Sequence, residues 1–116
     1  MTSRLPKHLH DALTAAQRAR EFLGPLDADG YRVNALVRSA VERQLEILGE
    51  ACRRAVDEEP DLRERAPDMT VAIGLRNHLI HGYDRIVDAV VVDTVRRDLP
   101  RLQAWIEAEL TRFPLP

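Results

Sequence analysis

The feature that most restricts the fold is a long amphipathic pattern between about Val33 and Val56. Apolar residues recur there at intervals of three and four positions, which places them on one side of an α-helix. Leu36 and Ile47 add a partly apolar second edge, so the stripe is wider than packing against one helix requires. We therefore expect a central helix with apolar surface left over for a partner. The stripe consists of Val37, Ala40, Val41, Leu45, Leu48, Ala51, Cys52 and Ala55.

A similar stripe predicts a helix before this one. Pro6 suits the first turn of a helix, and the Gly24-Pro25 pair stops it. The residues that follow, 27–30, read Asp-Ala-Asp-Gly and are typical of a turn. The N-terminal half is therefore predicted to contain two helices joined by a short connection.

The C-terminal half predicts two more helices. Thr70 can cap a third helix that ends near Gly82, and Asp88 can cap a fourth. Pro100 lies inside the fourth stripe, so we expect a kink or a break there. Residues 61–66 leave room for one short helical turn. Short connections between helices imply an all-α fold, an antiparallel bundle of four to five helices.

Composition narrows the class of protein. The 116 residues fit a single domain over 1–116. A net charge of −2 is not that of a general nucleic-acid binder, so any such contact must be local. Cys52, the only cysteine, is expected to be a small buried hydrophobe. No apolar run approaches the length that spans a bilayer, and we expect a soluble cytoplasmic protein with no membrane partner.

Residues 76–83 carry the most chemistry. Arg76, Asn77, His78, His81 and Tyr83 place five functional side chains within eight positions. An arginine beside a histidine can bind a phosphate and move a proton. On an ideal helix, Arg76, Asn77 and His81 share a face with two isoleucines, so that face should be buried or line a cleft. A cap or a surface ion pair is the competing interpretation, and the residues alone leave the two about even.

Other readings of the histidines and aromatic residues carry less weight. His78 and His81 are three positions apart, but no zinc-binding pattern accompanies them, so no metal is predicted. His78 points away from Arg76 on the helix and is expected to be accessory or exposed. His8 and His10 are expected on the surface. Tyr31 is a candidate packing anchor, and Trp105 is a candidate for the core or an interface.

The motif resembles that of a known protein family. The pattern Arg-x4-His-x-Tyr, from Arg76 to Tyr83, is similar to that of the HepT-like toxins, a branch of the HEPN superfamily. Residues 41–51 resemble the second-helix segment of that family, and Asp98-Leu99-Pro100 resembles its last helix. The likeness extends from about residue 7 to residue 110.

The resemblance implies a HEPN-type bundle that forms a homodimer, with both motifs facing one cleft. It implies a metal-independent endoribonuclease without a cofactor, the toxin of a type VII toxin-antitoxin system. Arg76 and His81 would be the catalytic pair, with Asn77 as the accessory polar residue within the motif. Tyr83 would receive AMP from a minimal nucleotidyltransferase antitoxin (MntA-like). The alternatives are a non-catalytic helical dimer that serves such an enzyme as acceptor or nucleotide-binding subunit, and a purely structural dimer.

Overall fold

The computed structural model of the chain describes residues 3–81 and 88–113. Every regular element in these two ranges is helical, which confirms the predicted all-α class. The elements in chain order are α1 (Leu5–Leu23), α2 (Ala28–Val33), α3 (Ala35–Glu58), α4 (Leu62–Arg65), α5 (Pro67–His81), α6 (Asp88–Asp93), a π-helical turn (Thr94–Asp98) and α7 (Leu99–Leu110). Among the described helices, none combines the length and the apolar character needed to cross a membrane.

Helix α3 forms the centre of the bundle, as its stripe predicts. It packs along α1 on one side and along α5 on the other, and α7 closes the bundle against α1. The inner part of the stripe is buried, whereas Leu36 remains 81% exposed at the start of the helix. Leu9 of α1, Met69 of α5 and Ile106 of α7 meet it in one apolar core.

The connection between α1 and α3 differs from the prediction. Residues 27–30, predicted as a turn, instead begin the short helix α2, and Asp27 caps it by accepting from the backbone N–H of Gly30 at 2.8 Å. The same aspartate and glycine that favour turns also favour a helix N-terminus, and six residues are too few for an apolar stripe to decide between them. Helix α2 buries Tyr31, which is 1% exposed and is the packing anchor that was expected.

The start of α5 also differs from the prediction. The helix begins at Pro67, so Thr70 lies inside it and does not cap it. Proline is favoured in the first turn because its missing N–H would have had no partner there. The short helix α4 precedes it within the predicted segment 61–66.

The break expected near Pro100 takes the form of the π-helical turn. Proline cannot donate a backbone hydrogen bond, and its ring crowds the carbonyl one turn earlier. The widened turn immediately before α7 relieves that crowding. Arg96 in this turn donates to the backbone oxygens of Gly24 and Leu26, which ties the turn to the end of α1.

Candidate functional site

A groove of about 440 Å³ lies between α1, α3 and α5. Arg76 and Ile80 reach it from α5, whereas Asn77 and His81, which were expected on the same face, do not line it. The other walls come from α1 and α3. They are formed by His8, Asp11, Thr14, Ala15, Arg18, Arg43, Gln44, Glu46, Ile47, Glu50, Ala51 and Arg54.

Gly49 allows α5 to approach α3 closely at Arg76. A Cβ atom added at Gly49 would overlap Cβ of Arg76 and lie 2.8 Å from its Cγ. It would also lie 3.0 Å from the backbone oxygen of Ala72, one turn earlier on α5. Because these neighbours include the helix backbone, only glycine fits without displacing α5. The aliphatic part of Arg76 therefore rests directly on the surface of α3.

The guanidinium of Arg76 is half-buried at the edge of the groove. Its Nη2 lies 3.5 Å from Oε1 of Glu50, and its Nη1 donates to Oδ1 of Asn77 at 3.3 Å. Its Nε is buried and has no hydrogen-bond partner among residues 3–81 and 88–113. Arg76 is thus held by a carboxylate and an amide while the outer edge of its guanidinium remains available to an anion.

Glu50 lies among three arginines. Arg53 forms a bidentate pair with it, at 2.9 Å to Oε1 and 3.0 Å to Oε2, and Nε of Arg54 lies 3.2 Å from Oε2. The hydrogen bonds from Arg53, followed by those from Arg54 and the charge of Arg76, lower the pKa of Glu50 to about 2. Partial burial opposes this shift but does not overcome it. Glu50 is therefore ionised at neutral pH.

The other motif residues lie towards the end of α5. Asn77, His78 and His81 are exposed, with both histidines in the last turn of the helix. The exposure of His78 agrees with its expected position. The motif face is only partly covered, because Ile80 is 48% exposed. The structure therefore joins Arg76 to Asn77 directly and places His81 at the exposed end of the same helix.

Gly82 and Tyr83 lie outside the described residues, so the expected helix end and the tyrosine acceptor stay predictions.

The prediction for His8 was wrong, whereas His10 is exposed as expected. His8 is only 6% exposed and lies on the inner side of α1, where it lines the groove. Cys52 is fully buried, and burial raises the pKa of its thiol to about 12, in agreement with a packing role. Trp105 is half-buried against the core, with the Arg65 guanidinium 5.7 Å from its ring centre. In the described ranges, no three His, Cys, Asp or Glu side chains are grouped to hold a metal ion.

Gly49 and Glu50 are the site residues that sequence reasoning did not single out. Gly49 interrupts the middle of a 24-residue helix, where glycine costs about 1 kcal/mol relative to alanine, so a packing reason could have been suspected. Glu50 gives no such signal, because Arg53 and Arg54 at three and four positions suggest only a surface ion pair.

Comparison with known proteins places the chain among ribonucleases. The family model described as "Ribonuclease HepT-like" matches residues 12–109. "Putative RNase MJ1380" of Methanocaldococcus jannaschii is 36% identical over 101 residues, which cover 85% of this chain and 90% of that protein. "Probable ribonuclease HepT" of Thermococcus cleftensis is 29% identical over 100 residues, covering 86% and 90%. No solved structure matches the chain at a significant level.

Proposed function

This chain belongs to the Ribonuclease HepT-like family, and from that premise we propose that it is an endoribonuclease whose active site is built on Arg76 and His81. The observation that carries the proposal is the half-buried guanidinium of Arg76 at the edge of the groove. A guanidinium binds phosphate oxygens through paired N–H donors, and a fixed donor of this kind stabilises charge that develops during reaction.

The proposed reaction uses the nucleophile that RNA itself carries. The 2′-hydroxyl attacks the adjacent phosphorus, so a new O–P bond forms while the bond to the 5′-oxygen breaks. The products are a 2′,3′-cyclic phosphate and a free 5′-hydroxyl. One His81 accepts the proton of the 2′-hydroxyl or supplies the proton of the leaving oxygen. Arg76 stabilises the negative charge on the pentavalent transition state, an effect worth roughly 2–4 kcal/mol.

A homodimer would complete this site. A second His81 from the partner copy would take the proton-transfer role that the first one leaves open. The partly exposed Ile80 and the half-buried Ile47 at the groove, together with the exposed Leu36, are apolar side chains that such a partner could cover. Light scattering at micromolar concentration should therefore give the mass of a dimer, and a monomer alone would contradict this assembly.

The biological role proposed for this ribonuclease is that of a toxin. A minimal nucleotidyltransferase antitoxin would neutralise the toxin by transferring AMP to Tyr83. The position of Tyr83, two residues after His81, supports this role because an attached phosphate would compete with RNA for Arg76.

The decisive experiment is an RNA cleavage assay with purified protein in the presence of EDTA. We expect cleavage that leaves cyclic phosphate ends and that is lost in Arg76→Ala. The absence of cleavage by a folded wild-type dimer would refute the ribonuclease proposal. If such a protein still accepted AMP from the nucleotidyltransferase, the non-catalytic alternative would be supported instead.

A further inference from the structure

Glu50 and Arg76 come from different helices, yet their side chains meet at the edge of the groove. Glu50 lies on α3 with 30% of its side chain exposed, and Arg76 lies on α5 with 24% exposed. The aliphatic part of Arg76 is already fixed by its contact with Gly49. The direction of the guanidinium then depends on its polar neighbours, Glu50 and Asn77.

Both oxygens of Glu50 are held in place. Oε1 meets Arg53 and Arg76, and Oε2 meets Arg53 and Arg54. A carboxylate with a bidentate partner cannot rotate freely, because rotation would break two hydrogen bonds together. Glu50 is therefore a fixed negative charge beside the guanidinium of Arg76.

The contact between Glu50 and Arg76 leaves donors for a substrate. A guanidinium carries five N–H groups. Glu50 lies near Nη2 and Asn77 accepts from Nη1, so one further N–H remains on each of these two nitrogens. At 3.5 Å the contact with Glu50 is also longer than a strong charged hydrogen bond, so it directs the guanidinium without occupying its outer edge.

We propose that Glu50 is the positioning residue for Arg76: its carboxylate, clamped by Arg53 and Arg54, orients the guanidinium towards the scissile phosphate. This inference rests on the proposed ribonuclease function. Glu50 itself contacts no reacting atom in this scheme, and its contribution passes through Arg76. A competing interpretation is that Glu50 sequesters Arg76 and lowers activity until RNA displaces it, and the two interpretations predict opposite kinetics.

The test compares Glu50→Gln with wild type in steady-state RNA cleavage. Glutamine keeps the shape but loses the charge, so the guanidinium should lose its fixed direction. We expect kcat to fall on the order of 10-fold with KM changed less than about twofold, because misorientation weakens the transition state more than RNA binding. Asp57→Asn is the matched control, since it removes another carboxylate from Arg53, at 2.9 Å, without touching Arg76. Its kcat should stay within about twofold of wild type.

A second comparison separates positioning from general support of the fold. In an Arg76→Lys background the planar guanidinium is absent, so Glu50→Gln should lower kcat by less than about twofold further. An equal loss in both backgrounds would overturn the proposal, as would unchanged kcat in Glu50→Gln. A raised kcat in Glu50→Gln would show sequestration and would overturn it too.

A second variant tests the same proposal if the first does not fold, and the activity of wild type is checked before either. If Glu50→Gln fails to fold, Arg53→Gln loosens Glu50 without removing it, and kcat should then fall by about two- to fivefold at constant KM. An unchanged kcat in that variant would refute the clamp. If wild-type protein does not cleave RNA, the proposed function has failed before Glu50 is tested, so the two failures are distinct.

Discussion

Gly49 on α3 and Arg76 on α5 lie so close that a single methyl group does not fit between them. A Cβ atom at Gly49 would overlap Cβ of Arg76 and approach its Cγ to 2.8 Å. Glycine here allows the two helices to lie close together, and this spacing determines where the guanidinium of Arg76 lies at the edge of the groove. The same residue that weakens α3 locally thus lets the candidate catalytic arginine rest on it.

Gly49→Ala should therefore destabilise the protein although alanine favours helices. The gain in helix propensity is about 1 kcal/mol, whereas crowding a packed contact costs roughly 1–3 kcal/mol. The balance is a net loss of up to roughly 2 kcal/mol in the free energy of unfolding, measured by urea denaturation, and we expect RNA cleavage to fall with it.

Gly74→Ala is the matched control for that variant. Gly74 also lies inside a helix, α5, but a Cβ atom added there meets no heavy atom within 4 Å among the described residues. Its free energy of unfolding should rise by about 0.5–1 kcal/mol. Equal stabilisation by both alanines would show that the contact between Gly49 and Arg76 is not restrictive.

Arg76→Ala and His81→Ala should each lower RNA cleavage by about 10²-fold or more while the protein remains folded. Arg76 is assigned charge stabilisation and His81 proton transfer, so either loss removes a separate part of the reaction. Initial rates on a short single-stranded RNA, with circular dichroism as the folding check, measure the effect. Asn77→Ala should be milder, because it leaves the guanidinium in place and removes only a long, exposed hydrogen bond of 3.3 Å from Arg76.

His10→Ala provides the comparison for the histidine variant. It removes an exposed imidazole from α1 that does not line the groove. Its rate should match wild type. Unchanged kinetics in His81→Ala would exclude the proposed proton-transfer role.

The stability of the protein should depend on Glu50 within a defined pH window. The pKa of Glu50 falls from an ordinary value near 4.5 to about 2 in the folded chain, mainly through hydrogen bonds from Arg53. A depressed carboxyl pKa contributes stability above the unfolded pKa, and that stability is lost as pH falls towards the folded pKa. The contribution should be complete above about pH 4.5 and should disappear towards pH 2.

Urea denaturation of wild type and Glu50→Gln at several pH values measures this contribution. Because Glu50 is partly exposed, solvent screening reduces it to roughly 1–2 kcal/mol at pH 7. The difference between the two proteins should shrink as pH falls from about 4.5 towards 2. A difference as large at pH 3 as at pH 7 would show that the depressed pKa of Glu50 does not contribute to stability.

Tyr83→Phe should separate cleavage from regulation. The phenyl ring keeps most of the side chain but lacks the oxygen that would accept AMP. The variant should keep at least part of the ribonuclease activity and escape neutralisation when it is expressed with the nucleotidyltransferase. Mass spectrometry of the co-expressed proteins tests this, and a mass increase that persists in Tyr83→Phe would exclude Tyr83 as the sole acceptor.

The sequence by itself determined the helices and the chemistry that they carry. The stripe around Leu45 predicts a buried central helix, and Pro100 predicts the irregular turn before α7, because both signals act within one or two turns of the chain. The motif from Arg76 to Tyr83 could be found for the same reason. Where local signals are equivalent, as for the turn residues 27–30, the prediction was wrong.

Only the tertiary structure decided which residues meet. Gly49 and Glu50 lie far from Arg76 in the chain, and no local periodicity shows that α3 and α5 cross at that point. The burial of His8 likewise depends on how α1 rotates against α3, which small differences in side-chain packing decide. Helix formation follows from local spacing, whereas the contacts around Arg76 follow from the fit of two helical surfaces, and that fit exists only after the chain has folded.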